Sequence, residues 1–431
     1  MTGPGSAAGT VPSDRAGCLA LDAADPLAGL RETFHLPDGV IYLDGNSLGP
    51  LPRATAARLA EVIGGEWGQG LVGSWNTAGW IEAPHRVGDK IARLIGAGPG
   101  EVVVADSTSV NLYKAVWAAV QWQRAGDPRR DLVLCDRTSF PTDRYLLASA
   151  CASLGVELRA VAVEDVEHLL DDRVAVLALN HVDYRNGRLH DLPVLTRAAH
   201  EAGALAIWDL AHSAGVLPIG LAEAGADIAV GCGYKYLNGG PGAPSFVWAH
   251  PRLVDRLDQP LQGWLGHRAP FDFAPEYLAA QGISRFQCGT PPILSLAALE
   301  CGVDSVLAAE PLGGLAAIRA KSLALTGLFS GLVAGPVARH GLVSITPDAA
   351  PERGGQVALR AGGDLDPYAI VQALIARGVV GDFRAPDVLR FGFAPLYLRH
   401  VDVWDAVQVL GEVLDTGRWR RHRRAHRSVV T

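Results

Sequence analysis

Between residues 101 and 250, short apolar runs alternate with helical stretches, and this alternation constrains the fold more than any other feature of the chain. The runs fall at 102–105, 132–135, 174–179, 205–208, 228–230 and 245–248. They are continuous rather than every-other-residue, which is the pattern of strands buried on both faces of a parallel sheet. An α/β doubly wound sheet follows, with its ligand at the carboxyl ends of the strands. Helical spacing recurs at 52–63 and 84–96, and 296–330 reads as one long Ala/Leu-rich helix. Past about 335, short strands (343–345, 357–359, 389–393) mix with helices near 367–377 and 402–415, the composition of a smaller α+β domain. The expected organisation is a flexible Gly/Ala/Ser/Pro-rich lead (1–30), a large domain (31–310), a small C-terminal domain (311–416) and an arginine-rich tail (417–431).

Composition narrows the function. A net charge of −7 argues against a dedicated nucleic-acid binder, and the six arginines of the tail sit on a body more acidic still. Nothing approaches eighteen uninterrupted apolar residues, so no membrane span is expected. Six cysteines (18, 135, 151, 232, 288 and 301) show neither CxxC nor zinc-ligand spacing, and no metal is expected. They suit a reducing, cytoplasmic compartment. Of 38 basic residues only Lys90, Lys114, Lys235 and Lys321 are lysines, so chemistry that needs a primary amine has four candidates.

The strand ends rank them. After 102–105 comes Asp106-Ser107-Thr108-Ser109 and a helical run. Taken alone this is an ordinary helix cap, but a hydroxyl-rich helix start also offers N–H groups to a phosphate. No Walker A loop or GxGxxG is present. After 132–135 comes Phe140, followed by Asp143; after 205–208 come Asp209 and His212. A carboxylate ending an apolar strand either caps the next helix or meets a cation. After 228–230, Tyr234 and Lys235 lie among glycines and apolar residues, whereas Lys90 and Lys321 read as solvated helix positions and Lys114 as part of a helix. An amine taken out of water is favoured in its neutral, nucleophilic form. Lys235 follows Asp209 by 26 residues, about one helix and one strand. Lysine, aspartate, helix start and aromatic on one sheet edge are the equipment of a pyridoxal 5'-phosphate site.

Over residues 25–415 the chain resembles the kynureninase family, fold-type-I pyridoxal-phosphate enzymes with a mostly parallel large-domain sheet and a smaller α+β domain. The matching stretches include IYLDGNSLGPLP (41–52), DSTSVNLYK (106–114), SFPTDRY (139–145), DLAHSAG (209–215), GYKYLNGGPG (233–242), GWLGH (263–267), CGTPPILSL (288–296) and LRFGFAPLY (389–397). The resemblance implies that Lys235 carries the cofactor imine and that Asp209, with Asp143 nearby, pairs with the ring nitrogen. It implies stacking by Phe140 and phosphate contacts from Thr108, Ser109, His212 and Tyr234. Trp264 and Thr290 would come from the other subunit of a homodimer whose active site lies at the interface. Arg390 would hold the substrate α-carboxylate, a task for a planar guanidinium, and Asn46 would also contact substrate. The implied reaction, in tryptophan catabolism, cleaves the Cβ–Cγ bond of L-kynurenine or 3-hydroxy-L-kynurenine to alanine and an anthranilate, with Tyr234 as acid/base. The tryptophan-rich stretch 67–80 is either the aryl wall, with Trp67 foremost, or a packing cluster. A ring-substituted kynurenine is an alternative substrate. Asp183 and Asn186 depart from the HVNYRTG form of bacterial members at a strand end expected to face the cofactor. A cysteine desulfurase, the rival within this fold, would need a nucleophilic cysteine at the site, and Cys288 and Cys301 flank it in sequence.

Overall fold

The computed structural model describes residue 12 and residues 14–335 and 337–423. Its centre is a seven-stranded sheet of β1 (Val102–Val104), β2 (Leu132–Asp136), β3 (Glu157–Val161), β4 (Val174–Asn180), β5 (Leu205–Asp209), β6 (Ile228–Gly231) and β7 (Phe246–Ala249). The spatial order is β1-β7-β6-β5-β4-β2-β3, and only β7 runs antiparallel to its neighbours. All seven side chains of β4 are buried, as its unbroken apolar run requires. Strand β3 was not evident in the sequence: it is a sheet edge, Glu157 to Val161, where charged Glu157 and Arg159 break the apolar run and only Val161 is buried.

Helices Thr108–Gly126 and Pro141–Leu154 cover one face of the sheet, where Val103, Val133 and Ile207 pack with Leu112, Val116 and Leu147. The other face joins a larger core that continues into the C-terminal domain through Trp208, Leu299, Phe329 and Phe391. That domain carries a four-stranded antiparallel sheet of β8 (Leu342–Ser344), β9 (Gln356–Ala361), β10 (Asp382–Arg384) and β11 (Val388–Gly392), ordered β8-β9-β11-β10.

Three expectations need correction. The stretch 296–330 is two helices, Ile293–Leu307 and Gly314–Val333, separated where Pro311 precedes Gly313 at φ 102°. The second is long and apolar enough to cross a bilayer, but its buried side chains, Ile318 to Val333, pack into the core. The lead is not structureless: Asp14 caps a helix at Arg15–Ala23, and Cys18 and Leu27 are fully buried. Lys321 is not solvated either, since its Nζ meets Asp25 at 2.6 Å with both side chains buried. At the other end, packing continues past 416: Trp419 is 1% exposed, under the guanidinium groups of Arg420 and Arg423. The tail arginines at 424 and 427 lie outside the described residues.

Candidate active site

The carboxyl ends of β2, β4, β5 and β6 open into a cavity of about 310 Å³, closed on its far side by the loop at 44–50 and by β10 and β11. Lys235 is the one lysine lining it. The other three are held elsewhere: Lys90 by Glu300 and Asp304, Lys321 by Asp25, and Lys114, fully buried, by Asp106 and the carbonyl of Phe286 at 2.6 Å. The turn bearing Lys235 lies directly against the loop at 44–50, where Gly49 N–H donates to Tyr234 O at 2.8 Å. A Cβ on Gly49 would stand 2.5 Å from Lys235 O, so only glycine permits this approach.

Lys235 Nζ lies 3.0 Å from His212 Nε2. Burial, then the charge of Lys235, holds His212 well below the ordinary histidine value, so its ring is neutral. Deeper in, Asn180 Nδ2 donates to Asp143 Oδ2 at 2.9 Å and to Asp209 Oδ2 at 2.8 Å, while Ala211 N–H donates to Asp209 Oδ1 at 2.8 Å. Burial, reinforced by the charge of Asp209, pushes the Asp143 carboxyl up to about 8; burial also raises Asp209, against the pull of Lys235. The pair therefore holds one proton at neutral pH, because two carboxylates this close do not both ionise.

At the opposite end is the first turn of helix Thr108–Gly126. Ser107 caps it, and Asp106, in the left-handed region at φ 48°, is anchored by Lys114. The Thr108 hydroxyl is buried without a protein partner and Ser109 lines the cavity beside it. Phe140 is 40% exposed and stands edge-on to Tyr184, ring centroids 5.1 Å apart. On the substrate side each nitrogen of Arg390 has a protein acceptor: Nε and Nη2 meet both oxygens of Asp382, Nη2 also meets Ser47 Oγ at 2.8 Å, and Nη1 meets Tyr184 O at 2.6 Å. Arg384 shares Nη2 with Asp382 at 2.6 Å and Ser47 at 3.1 Å, but its Nε is buried without a partner. Asn46 Nδ2 donates to Gln356 Oε1 at 3.0 Å and its Oδ1 is unpaired.

Sequence reasoning and structure thus agree in bringing together Asn46, Thr108, Ser109, Phe140, Asp143, Asp209, His212, Tyr234, Lys235 and Arg390. Trp264 and Trp67, 38% and 55% exposed, lie outside the cavity, as does the exposed Thr290. Trp67 does not line this cavity; the aromatic lining is Phe140, Tyr184 and Tyr234, and Trp75 and Trp80 pack edge-on against each other. Asp183 does not face the site. Its Oδ1 accepts from the N–H of Arg185 and Asn186 at 2.7 and 2.8 Å, and Asn186 Oδ1 accepts from Arg188 N–H at 2.8 Å, so both departures build the turn. No cysteine lines the cavity among the described residues, and burial pushes the nearby Cys232 thiol up, neither of which favours the desulfurase alternative. Asn180, Ser47, Tyr184 and Arg384 were missed; Arg384 lies two residues after Asp382, and it is Asp382 that pairs with Arg390 across the ladder.

The unpaired buried atoms of Thr108, His212 and Arg384, the neutral-plus-anionic carboxylate pair and the lysine together fit pyridoxal phosphate. Sequence comparison is decisive about ancestry. Kynureninases of Burkholderia pseudomallei (strain 1106a) and Pseudomonas fluorescens are 51% and 50% identical to the chain, over 96% of its length and 98% and 99% of theirs. The chain belongs to the kynureninase family. The family profile for the kynureninase C-terminal domain matches residues 318–410. Solved structures of lower identity share the fold: an apo cysteine desulfurase from Thermococcus onnurineus NA1 (TM-score 0.76, 18% identical, 90% and 98% of the two chains) and a C-DES Lys-to-Ala mutant with glycine linked to its pyridoxal-phosphate cofactor (TM-score 0.76, 17% identical, 89% and 99%). The fold is thus that of the type-I pyridoxal-phosphate enzymes, as the kynureninase resemblance implied.

Proposed function

We propose that the chain hydrolyses the Cβ–Cγ bond of L-kynurenine or 3-hydroxy-L-kynurenine, releasing L-alanine and anthranilate or its 3-hydroxy form, with pyridoxal 5'-phosphate held at Lys235. One observation carries this: in a member of the kynureninase family, the lysine, the carboxylate pair, the unpartnered Thr108 hydroxyl and two guanidinium groups line a single cavity. The bound cofactor supplies an electron sink for charge developing at the substrate Cα.

The chain's own groups divide the remaining work. Asp209, backed by Asp143, would keep the ring nitrogen protonated, and Thr108, Ser109 and the helix N–H groups would take the phosphate. Phe140 would cover the ring face. Lys235 Nζ would move the proton from Cα, a role supported by neutral His212 Nε2 at 3.0 Å as its hydrogen-bond partner. Burial raises the Tyr234 phenol, keeping it protonated, so it would donate to the substrate carbonyl oxygen as water adds. Arg390 and Arg384 would hold the α-carboxylate, with Asn46 at its side.

Trp264 and Thr290 lie on the surface outside the cavity, which supports a homodimer in which each copy completes its partner's site. Six free thiols suit a reducing cytoplasm. The test is to load the protein with pyridoxal 5'-phosphate and offer L-kynurenine or L-cysteine. Anthranilate fluorescence with the first and no sulfide with the second is expected; sulfide without anthranilate overturns the reading.

A further inference from the structure

Asn180 has no part in the roles given so far, yet it sits where two acidic groups meet. It ends β4, in register with Asp209 at the end of β5, while Asp143 reaches the same point from the first turn of helix Pro141–Leu154. Its single Nδ2 lies 2.9 Å from one carboxylate and 2.8 Å from the other. Asn180 and Asp143 are each 8% exposed. An amide nitrogen carries two hydrogens, and one for each carboxylate is the arrangement its stoichiometry allows. The two acids share one proton, and an amide donating to both fixes how their remaining oxygens are turned.

We propose that Asn180 is a positioning residue for the cofactor's ring nitrogen: its amide ties Asp143 to Asp209 and fixes the carboxylate that would face the ring. The inference rests on the reading that pyridoxal phosphate binds here. Two consequences follow from the geometry. With Asn180 on Oδ2 and Ala211 N–H on Oδ1, both Asp209 oxygens are oriented before any ligand arrives. A donor on Oδ2 also makes that carboxylate less basic, so a proton shared with the ring nitrogen stays on the ring. The residue acts through Asp209 and touches no reacting atom.

The test uses two variants of equal shape suited to a strand end, Asn180→Thr and Asn180→Val, which differ in one hydroxyl donor. Full-length wild-type and variant proteins are stripped of cofactor and titrated with pyridoxal 5'-phosphate, followed by absorbance. Loss of a hydrogen bond to a charged group should weaken binding by Asn180→Val about tenfold or more relative to wild type, with Asn180→Thr between the two. Equal affinity of the Thr and Val variants overturns the proposal, since packing alone would then account for any loss. A Val variant that binds like wild type overturns it as well. Wild type that takes up no cofactor undoes instead the reading under which the site was assigned.

Discussion

Replacing Arg384 with methionine separates two ways in which the substrate carboxylate could be held. Arg390 is 1% exposed and each of its three nitrogens already has a protein acceptor, Asp382 taking two of them. Arg384 is freer: its side chain is 32% exposed, its contacts are confined to Nη2, and its Nε lacks an acceptor. A carboxylate entering the cavity therefore meets an open edge on Arg384 and a filled one on Arg390. A hydrogen bond between charged groups contributes about 1.5–3 kcal/mol, which converts to a KM for L-kynurenine raised about 10- to 150-fold with kcat little changed. Stability should hardly move, because Asp382 keeps Arg390 and the lost pair is partly exposed. Arg390→Met should behave differently: it strips the 2% exposed Asp382 of its closest cation, a loss of up to about 3–5 kcal/mol, moderated by Arg384. Anthranilate fluorescence gives KM and kcat, and thermal melting gives stability. A KM within about twofold of wild type for Arg384→Met would refute the reasoning and leave the carboxylate to Arg390 alone.

Asp44 offers a pH test: burial, then the neighbouring Asp382, pushes its carboxyl from 3.8 up to about 7. The folded chain thus keeps a proton that the unfolded chain releases, so this group's contribution to stability falls as pH rises between those values. Asp44→Asn should gain on wild type at about pH 8 relative to about pH 5 in urea midpoints, and the same difference at both refutes it. Trp419→Ala should cost about 3–5 kcal/mol of folding stability, because its 1% exposed indole fills core space; a melting temperature unchanged from wild type would mean the segment after 416 contributes nothing.

The large-domain strands were legible because both faces of the sheet are covered, which leaves each as an unbroken apolar run. The same logic hid β3, where one side is solvent and Glu157 and Arg159 pair with each other at 2.8 Å on the exposed surface. Lys321 misled for a related reason. Charge on an apolar helix reads as a solvated face, and its partner Asp25 lies in a segment whose Gly- and Ala-rich lead gave no sign of docking. Partners distant in sequence are what a periodicity argument cannot supply.

The site shows the same division more sharply. Lys235, Asp209 and Thr108 each follow a recognisable strand, so a rule about strand ends finds them. Asn180 ends a strand as well, but an amide carries no charge to mark it, and its partner Asp143 comes from a helix on a separate element. Asp183 stands out in the sequence instead, as a charged departure from the family pattern at a strand end expected to face the cofactor. In the structure its carboxylate closes the turn through two backbone N–H groups, which an asparagine oxygen could accept equally well. A change of charge three residues past a strand end is thus absorbed by the backbone, while the uncharged residue at the strand end donates to both acids of the cavity. The physical distinction is direction: β4 points Asn180 into the space between two acids, and the turn after it points Asp183 back at its own chain.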